Sequence, residues 1–81
     1  MRHLAAIVKN INTWRSFTKQ PKIDIDNITF DDWHVIRNDL EARLSPENLT
    51  GDGELPQAEV ERRRTFYTAA LRELESLRET A

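Results

Sequence analysis

Residues 57–79 read QAEVERRRTFYTAALRELESLRE, and this stretch decides the fold class. Its apolar side chains recur at the three- and four-residue spacing of one helical face, and Phe66 widens that face. They are Val60, Tyr67, Ala70, Leu71, Leu74 and Leu77. Pro56 suits the first position of a helix. The helix would be roughly 34 Å long against ~30 Å for a globule of this size, so its last turns either fray or pack on another molecule.

Two further amphipathic stretches predict helices near residues 3–19 and 30–44. Pro21 disfavours the α conformation at Gln20, so the first helix should end there. Thr29 followed three residues later by Asp32 is typical of a helix start, and Ser45-Pro46 ends the second helix. The apolar face of the first helix is Leu4, Ile7, Val8, Ile11 and Trp14, and that of the second is Phe30, Trp33, Ile36, Leu40 and Leu44.

The two connectors differ in composition. Residues 22–28 alternate apolar and polar side chains, which is typical of an extended segment. We expect Ile23, Ile25 and Ile28 to lie on the core; the alternative is an edge that pairs with a partner. Residues 47–56 contain two glycines and few apolar side chains, so we expect a loop.

These patterns predict an all-α fold, a small three-helix bundle forming one domain over residues 1–81. A short extended segment separates the first two helices, and a glycine-containing loop separates the last two. The predicted core is Leu4, Ile7, Ile11, Trp14, Trp33, Ile36, Leu40, Leu44, Val60, Tyr67, Leu71 and Leu74.

Composition excludes several functional classes. The 81 residues include no cysteine, which excludes a disulfide scaffold, a thiolate metal site and a cysteine nucleophile. No apolar run is long enough to span a bilayer. The net charge of −2 conceals a basic segment (residues 1–20), an acidic segment (21–60) and a nearly neutral one (61–81). We expect no membrane contact, because the apolar face of the first helix is needed for the core.

Residues 48–59, NLTGDGELPQAE, resemble an EF-hand calcium loop. The resemblance implies oxygen ligands from Asn48, Thr50, Asp52, Glu54 and Glu59, with Gly53 at the sharp turn. Asn48 stands where the family has aspartate, and Pro56 is stiff at the ninth position. With fewer carboxylates, binding is expected to be weak. The alternative is a solvated polar loop.

The run Arg62-Arg63-Arg64 suggests a nucleic-acid patch, but successive helical residues rotate by about 100°, so the three arginines cannot face one backbone. Glu59 and Arg63 are spaced for an ion pair. We therefore expect surface salt bridges rather than nucleic-acid binding. No motif for catalysis is present, and we expect no enzyme activity and no cofactor.

The predicted function is that of a small, cytoplasmic, non-enzymatic protein-interaction module. It acts on a protein partner or as a homodimer, in the style of phage- or plasmid-type accessory or inhibitor proteins. The candidate partner-binding residues combine the acidic segment with the last helix: Asp31, Asp32, Asp39, Arg63, Arg64 and Phe66. The alternatives are a weak calcium-binding helix-loop-helix protein and a nucleic-acid-associated protein.

Overall fold

The computed structural model describes the backbone of residues 2–80 and the side chains of residues 2–77. Over this range the chain forms four helices and no strand: α1 (Arg2–Phe17), α2 (Phe30–Arg43), α3 (Pro46–Thr50) and α4 (Gln57–Thr80). The predicted all-α bundle is confirmed, with α1, α2 and α4 as its three long helices. The prediction of one domain over residues 1–81 includes residues 1 and 81, which lie outside the described residues.

The short helix α3 corrects the prediction of a loop over residues 47–56. Pro46 occupies its first turn, and Leu49 is buried with 4% of its surface exposed. Burial of Leu49 stabilises this helical turn. The segment is otherwise polar, so its composition did not predict a helix. The helix ends at Gly51 in the left-handed conformation (φ 59°), where a Cβ atom would lie 2.9 Å from Leu55 Cγ.

Helix α4 is the central element and packs against the other three helices. Its Glu73 carboxylate accepts a hydrogen bond from the Leu4 backbone N–H (3.1 Å) and lies 2.8 Å from His3 Nδ1. On the other side, the buried Trp33 indole donates to the Leu74 carbonyl at 2.9 Å. The N-terminal ends of α1 and α2 therefore both meet the C-terminal half of α4, and both helices run antiparallel to it.

The extended segment between α1 and α2 is not extended throughout as predicted, because it turns at residues 24–27, where the Asn27 N–H donates to the Asp24 carbonyl (3.0 Å). The Asn12 side chain holds the segment against α1. Asn12 accepts a hydrogen bond from the Ile23 N–H (2.7 Å) and donates one to the Ile23 carbonyl (2.9 Å). Ile23 is buried, and Ile25 and Ile28 pack against the core as predicted. The segment then enters α2, where Thr29 Oγ1 accepts a hydrogen bond from the Asp32 N–H as expected for a helix cap.

The core follows the predicted faces with two exceptions, Trp14 on α1 and Phe30 on α2, and Phe30 is 70% exposed. The indole of Trp14 is 66% exposed, so its assignment to the core is wrong. Leu4, Ile7, Val8 and Ile11 fill the face of α1 that packs inward. Trp14 lies about one turn further along α1, and its ring contacts Phe17. Of the remaining predicted core residues, Leu44, Tyr67 and Leu71 are half-buried and the others are buried.

The molecule is flattened, with principal extents of 36 × 31 × 18 Å. Helix α4, at about 36 Å for its 24 residues, matches the longest dimension. Leu77 near its end packs against the core. The length of the helix therefore gives no argument for a second molecule. None of the described helices is both long and apolar enough to cross a bilayer.

Candidate functional site: a groove lined by arginines

A groove of about 330 Å³ opens where α1, α2 and α4 meet, and we call it the arginine groove. Three arginines and two aromatic rings converge on it. Its lining residues are Ala6, Ile7 and Asn10 from α1, Arg43 from α2, and Arg62, Arg63, Phe66 and Tyr67 from α4.

Helix geometry explains why these residues share one surface. Ile7 and Asn10 are three residues apart and project from one side of α1. Arg62 and Phe66, and likewise Arg63 and Tyr67, are four residues apart on α4. The antiparallel pairing of α1 with α4 brings the two sets together, and the last turn of α2 adds Arg43.

Glu59 holds two of the guanidinium groups in place. Its carboxylate accepts hydrogen bonds from Arg62 Nε (2.9 Å) and Nη2 (2.6 Å), and from Arg63 Nε (3.0 Å). The hydrogen bonds from Arg62 and Arg63 lower the pKa of Glu59 to about 2, and the hydrogen bond to Glu59 raises the pKa of Arg62. Glu59 therefore stays ionised and fixes both arginines at the groove.

Arg43 is the most enclosed of the three arginines and is held from several directions. Its guanidinium donates to Asp39 and to Asn10 Oδ1, and its central carbon lies 5.6 Å from the centre of the Tyr67 ring. Burial lowers the pKa of Arg43, but the hydrogen bond and charge of Asp39 outweigh burial and the pKa is raised. The hydrogen bond to Tyr67 contributes to the same rise in the pKa of Arg43.

This arrangement is suited to binding carboxylates. A guanidinium has five N–H donors, and the contacts to Glu59 use only part of those on Arg62 and Arg63. Three arginines face two carboxylates, Asp39 and Glu59, so the groove keeps a net positive charge. Phe66 and Tyr67 supply apolar surface beside the charges, and both rings are half-buried.

The structure brings three of the six candidate partner-binding residues to this groove. Arg63 and Phe66 line it, and Asp39 orients Arg43. Arg64 instead pairs with Glu61 outside the groove. Asp31 and Asp32 lie at the other end of α2. The candidate partner-binding residues did not include Asn10, Arg43, Arg62 and Tyr67. The four-residue spacing of Asp39 and Arg43 was the available signal for Arg43.

The residues of the calcium-loop interpretation serve other purposes. Asn48 donates to the Ala42 carbonyl (2.7 Å), Thr50 donates to the Pro46 carbonyl (2.7 Å), and Glu59 binds two arginines. Asp52 and Glu54 are exposed. In the described part of the chain, no three acidic or histidine side chains are grouped so as to hold a metal ion.

The predicted salt bridges of the arginine run are confirmed. Glu59 pairs with Arg62 and Arg63, and Glu61 pairs with Arg64. His34 makes ring contacts with Phe30 and Trp33, with centroids 4.5 and 5.1 Å apart. Glu41, further along α2, accepts a hydrogen bond from Arg37 (3.1 Å).

Comparison with known proteins gives no match. No family model and no curated protein matches the sequence, and no solved structure matches the fold. The assignment of function therefore rests on the geometry of the chain itself.

Proposed function

We propose that this chain is a small, non-enzymatic protein-interaction module and that the arginine groove binds an acidic segment of a partner protein. The observation that carries the proposal is the convergence of three guanidinium groups and two aromatic rings on one groove. Arginine binds carboxylates through paired, charge-assisted hydrogen bonds. Arginine and tyrosine are also enriched among the residues that dominate binding energy at protein interfaces.

The charge of the groove favours a protein over a nucleic acid. Asp39 and Glu59 neutralise most of the charge of the three arginines. Nucleic-acid affinity comes mainly from cations that neutralise many phosphates. A groove with a small net charge and two aromatic rings suits a segment with a few carboxylates and an apolar side chain.

A second copy of the chain is the alternative occupant. Phe30 is 70% exposed and stands beside Asp31 and Asp32, so a second copy offers an acidic segment with an aromatic side chain. Light scattering over a range of concentrations tests this homodimer. The proposal also includes a cytoplasmic location, which cell fractionation tests. It includes an accessory or inhibitor role as well, which identification of the partner tests.

The test is calorimetric titration with a synthetic peptide of alternating glutamate and leucine. We expect Arg62→Gln and Arg63→Gln each to weaken binding by about tenfold or more, because hydrogen bonds to charged groups contribute about 1.5–3 kcal/mol. Arg64→Gln is the matched control, since it removes the same charge from the same helix outside the groove.

Three results would contradict the proposal. The first is equal binding of a glutamine–leucine peptide of the same length, which lacks the carboxylates. The second is a loss of affinity in Arg64→Gln as large as in Arg62→Gln. The third is tighter binding of a DNA oligonucleotide than of the acidic peptide, which would favour the nucleic-acid alternative.

A further inference from the structure

Two large aromatic side chains stand exposed at the C-terminal end of α1. Trp14 is 66% exposed and Phe17 is 76% exposed, and their rings meet edge to face with centroids 6.2 Å apart. Large aromatic side chains ordinarily supply core or interface area. The expectation of no membrane contact assumed that Trp14 was needed in the core. Trp14 lies outside the core, so that reason for expecting no membrane contact does not hold.

The same end of the molecule is basic. The first acid of the sequence is Asp24, and residues 2–22 contain five basic side chains. Three of these, Arg15, Lys19 and Lys22, lie at or just after the end of α1. Among the described residues, neither Lys19 nor Lys22 pairs with a carboxylate.

A groove of about 520 Å³ adjoins the aromatic pair, between α1 and the extended segment. Phe17 lines it together with Lys9 and Lys22, and no acidic residue does. Val8, Ile23 and Ile25 contribute apolar surface, and Thr13 and Ser16 contribute hydroxyl groups. Two lysines beside apolar surface, with no carboxylate to compete, complement an anionic headgroup attached to an apolar chain.

We propose that Trp14, Phe17, Lys9 and Lys22 form a site that binds the surface of an anionic phospholipid bilayer. Trp14 and Phe17 insert at the level of the headgroups, where aromatic side chains are favoured. Lys9 and Lys22 bind the headgroup phosphates, and Lys19 adds to the attraction. The aromatic pair offers at most about 500 Å² of surface, less than the roughly 800 Å² per partner of a stable protein interface. Shallow insertion into a bilayer requires no such area.

The experiment is sedimentation of the full chain with vesicles, either of phosphatidylcholine alone or with phosphatidylserine added. We expect binding to the phosphatidylserine vesicles only, decreasing as salt is raised. Trp14→Ser with Phe17→Ser should lower the partition coefficient by at least about tenfold. Lys9→Gln with Lys22→Gln should lower it by a similar factor. None of these four side chains lines the arginine groove, so peptide binding at that groove should persist in every variant.

Phe30→Ser is the matched control, because Phe30 is equally exposed but stands beside Asp31 and Asp32. It should retain binding within about twofold, since no cation cluster surrounds it. Absence of sedimentation with phosphatidylserine vesicles would overturn the proposal. So would equal binding to phosphatidylcholine alone, an equal loss in Phe30→Ser, or equally tight binding of soluble glycerophosphoserine, which would indicate an anion site without a bilayer. Cosedimentation that depends on a protein added to the vesicles would show that the site binds protein instead.

Discussion

At the scale of the residue, Lys19 is the clearest sign that the end of α1 is not optimised for stability. It adopts a left-handed conformation (φ 58°) just after the helix, where its N–H and that of Gln20 bond back to Ser16 and Arg15. Glycine is the residue usually found at this position, because a side chain is strained there. Lysine occupies this position instead of glycine, two residues after the exposed Phe17.

Lys19→Gly should therefore raise the free energy of unfolding by about 0.5–1 kcal/mol, since glycine relieves the strain and loses some of that gain to its greater freedom in the unfolded chain. Urea unfolding followed by circular dichroism measures the change. Lys19→Ala keeps the side-chain strain and should give no increase. Equal stabilisation by alanine would show that the conformation of residue 19 is not the cause.

Individual residues also show where sequence reasoning fails. Trp14 continues the apolar face of α1, and the spacing alone places it in the core. In the packed bundle its side chain is 66% exposed, and packing between helices is not recorded in the spacing along one helix. The opposite error occurs at Leu49, which was assigned to a loop but is buried. A single apolar residue in a polar segment gives no periodic signal.

At the scale of the element, the extended segment depends on one asparagine. Asn12 satisfies both backbone groups of Ile23, whose side chain is 3% exposed. The alternation of residues 22–28 predicted that the segment would lie on the core. It did not predict that a side chain of α1 would replace a neighbouring strand, because that contact joins positions eleven residues apart.

Asn12→Ala should lower the free energy of unfolding by about 2 kcal/mol, because it leaves a donor and an acceptor of buried backbone without partners. The measurement is chemical unfolding, with Thr13→Ala as control. Thr13 is exposed and bonds only to Lys9 in its own helix, so its loss should change stability by less than about 0.5 kcal/mol. Equal effects of the two substitutions would contradict this role of Asn12.

At the scale of the whole molecule, carboxylates that join helices or neighbouring side chains make stability depend on pH. The hydrogen bonds of Arg62 and Arg63 lower the pKa of Glu59 to about 2. Burial raises the pKa of Glu73, but its hydrogen bonds from Leu4 and His3 outweigh burial and lower it. Both groups stabilise the fold fully above their ordinary pKa of 4.5. The contribution of Glu59 is lost as the pH falls from 4.5 toward 2, and that of Glu73 is lost as the pH falls below 4.5 through its lowered pKa.

The urea midpoint should accordingly stay level from pH 7 to about 5 and fall steadily at lower pH. Glu73→Gln should show a shallower fall, because the carboxyl that links α1 to α4 no longer titrates. A midpoint that rises on acidification, or an unchanged slope in Glu73→Gln, would contradict this assignment.

The candidate site could be predicted only in part, because it forms only in the packed molecule. The three long helices, most of their apolar faces and the surface salt bridges of the arginine run follow from local spacing, and they were predicted. The groove was not, because Asn10, Arg43 and Arg63 belong to three helices and meet only after packing. No local pattern records which flanks of antiparallel helices face each other.

The most direct test of the central claim is a map of backbone and arginine side-chain NMR shifts during titration with the glutamate–leucine peptide. We expect the largest changes at Asn10, Arg43, Arg62, Arg63 and Tyr67, with Arg64 and Asp31 little affected. Saturable shifts confined to residues outside the arginine groove, or no shifts at all, would contradict it.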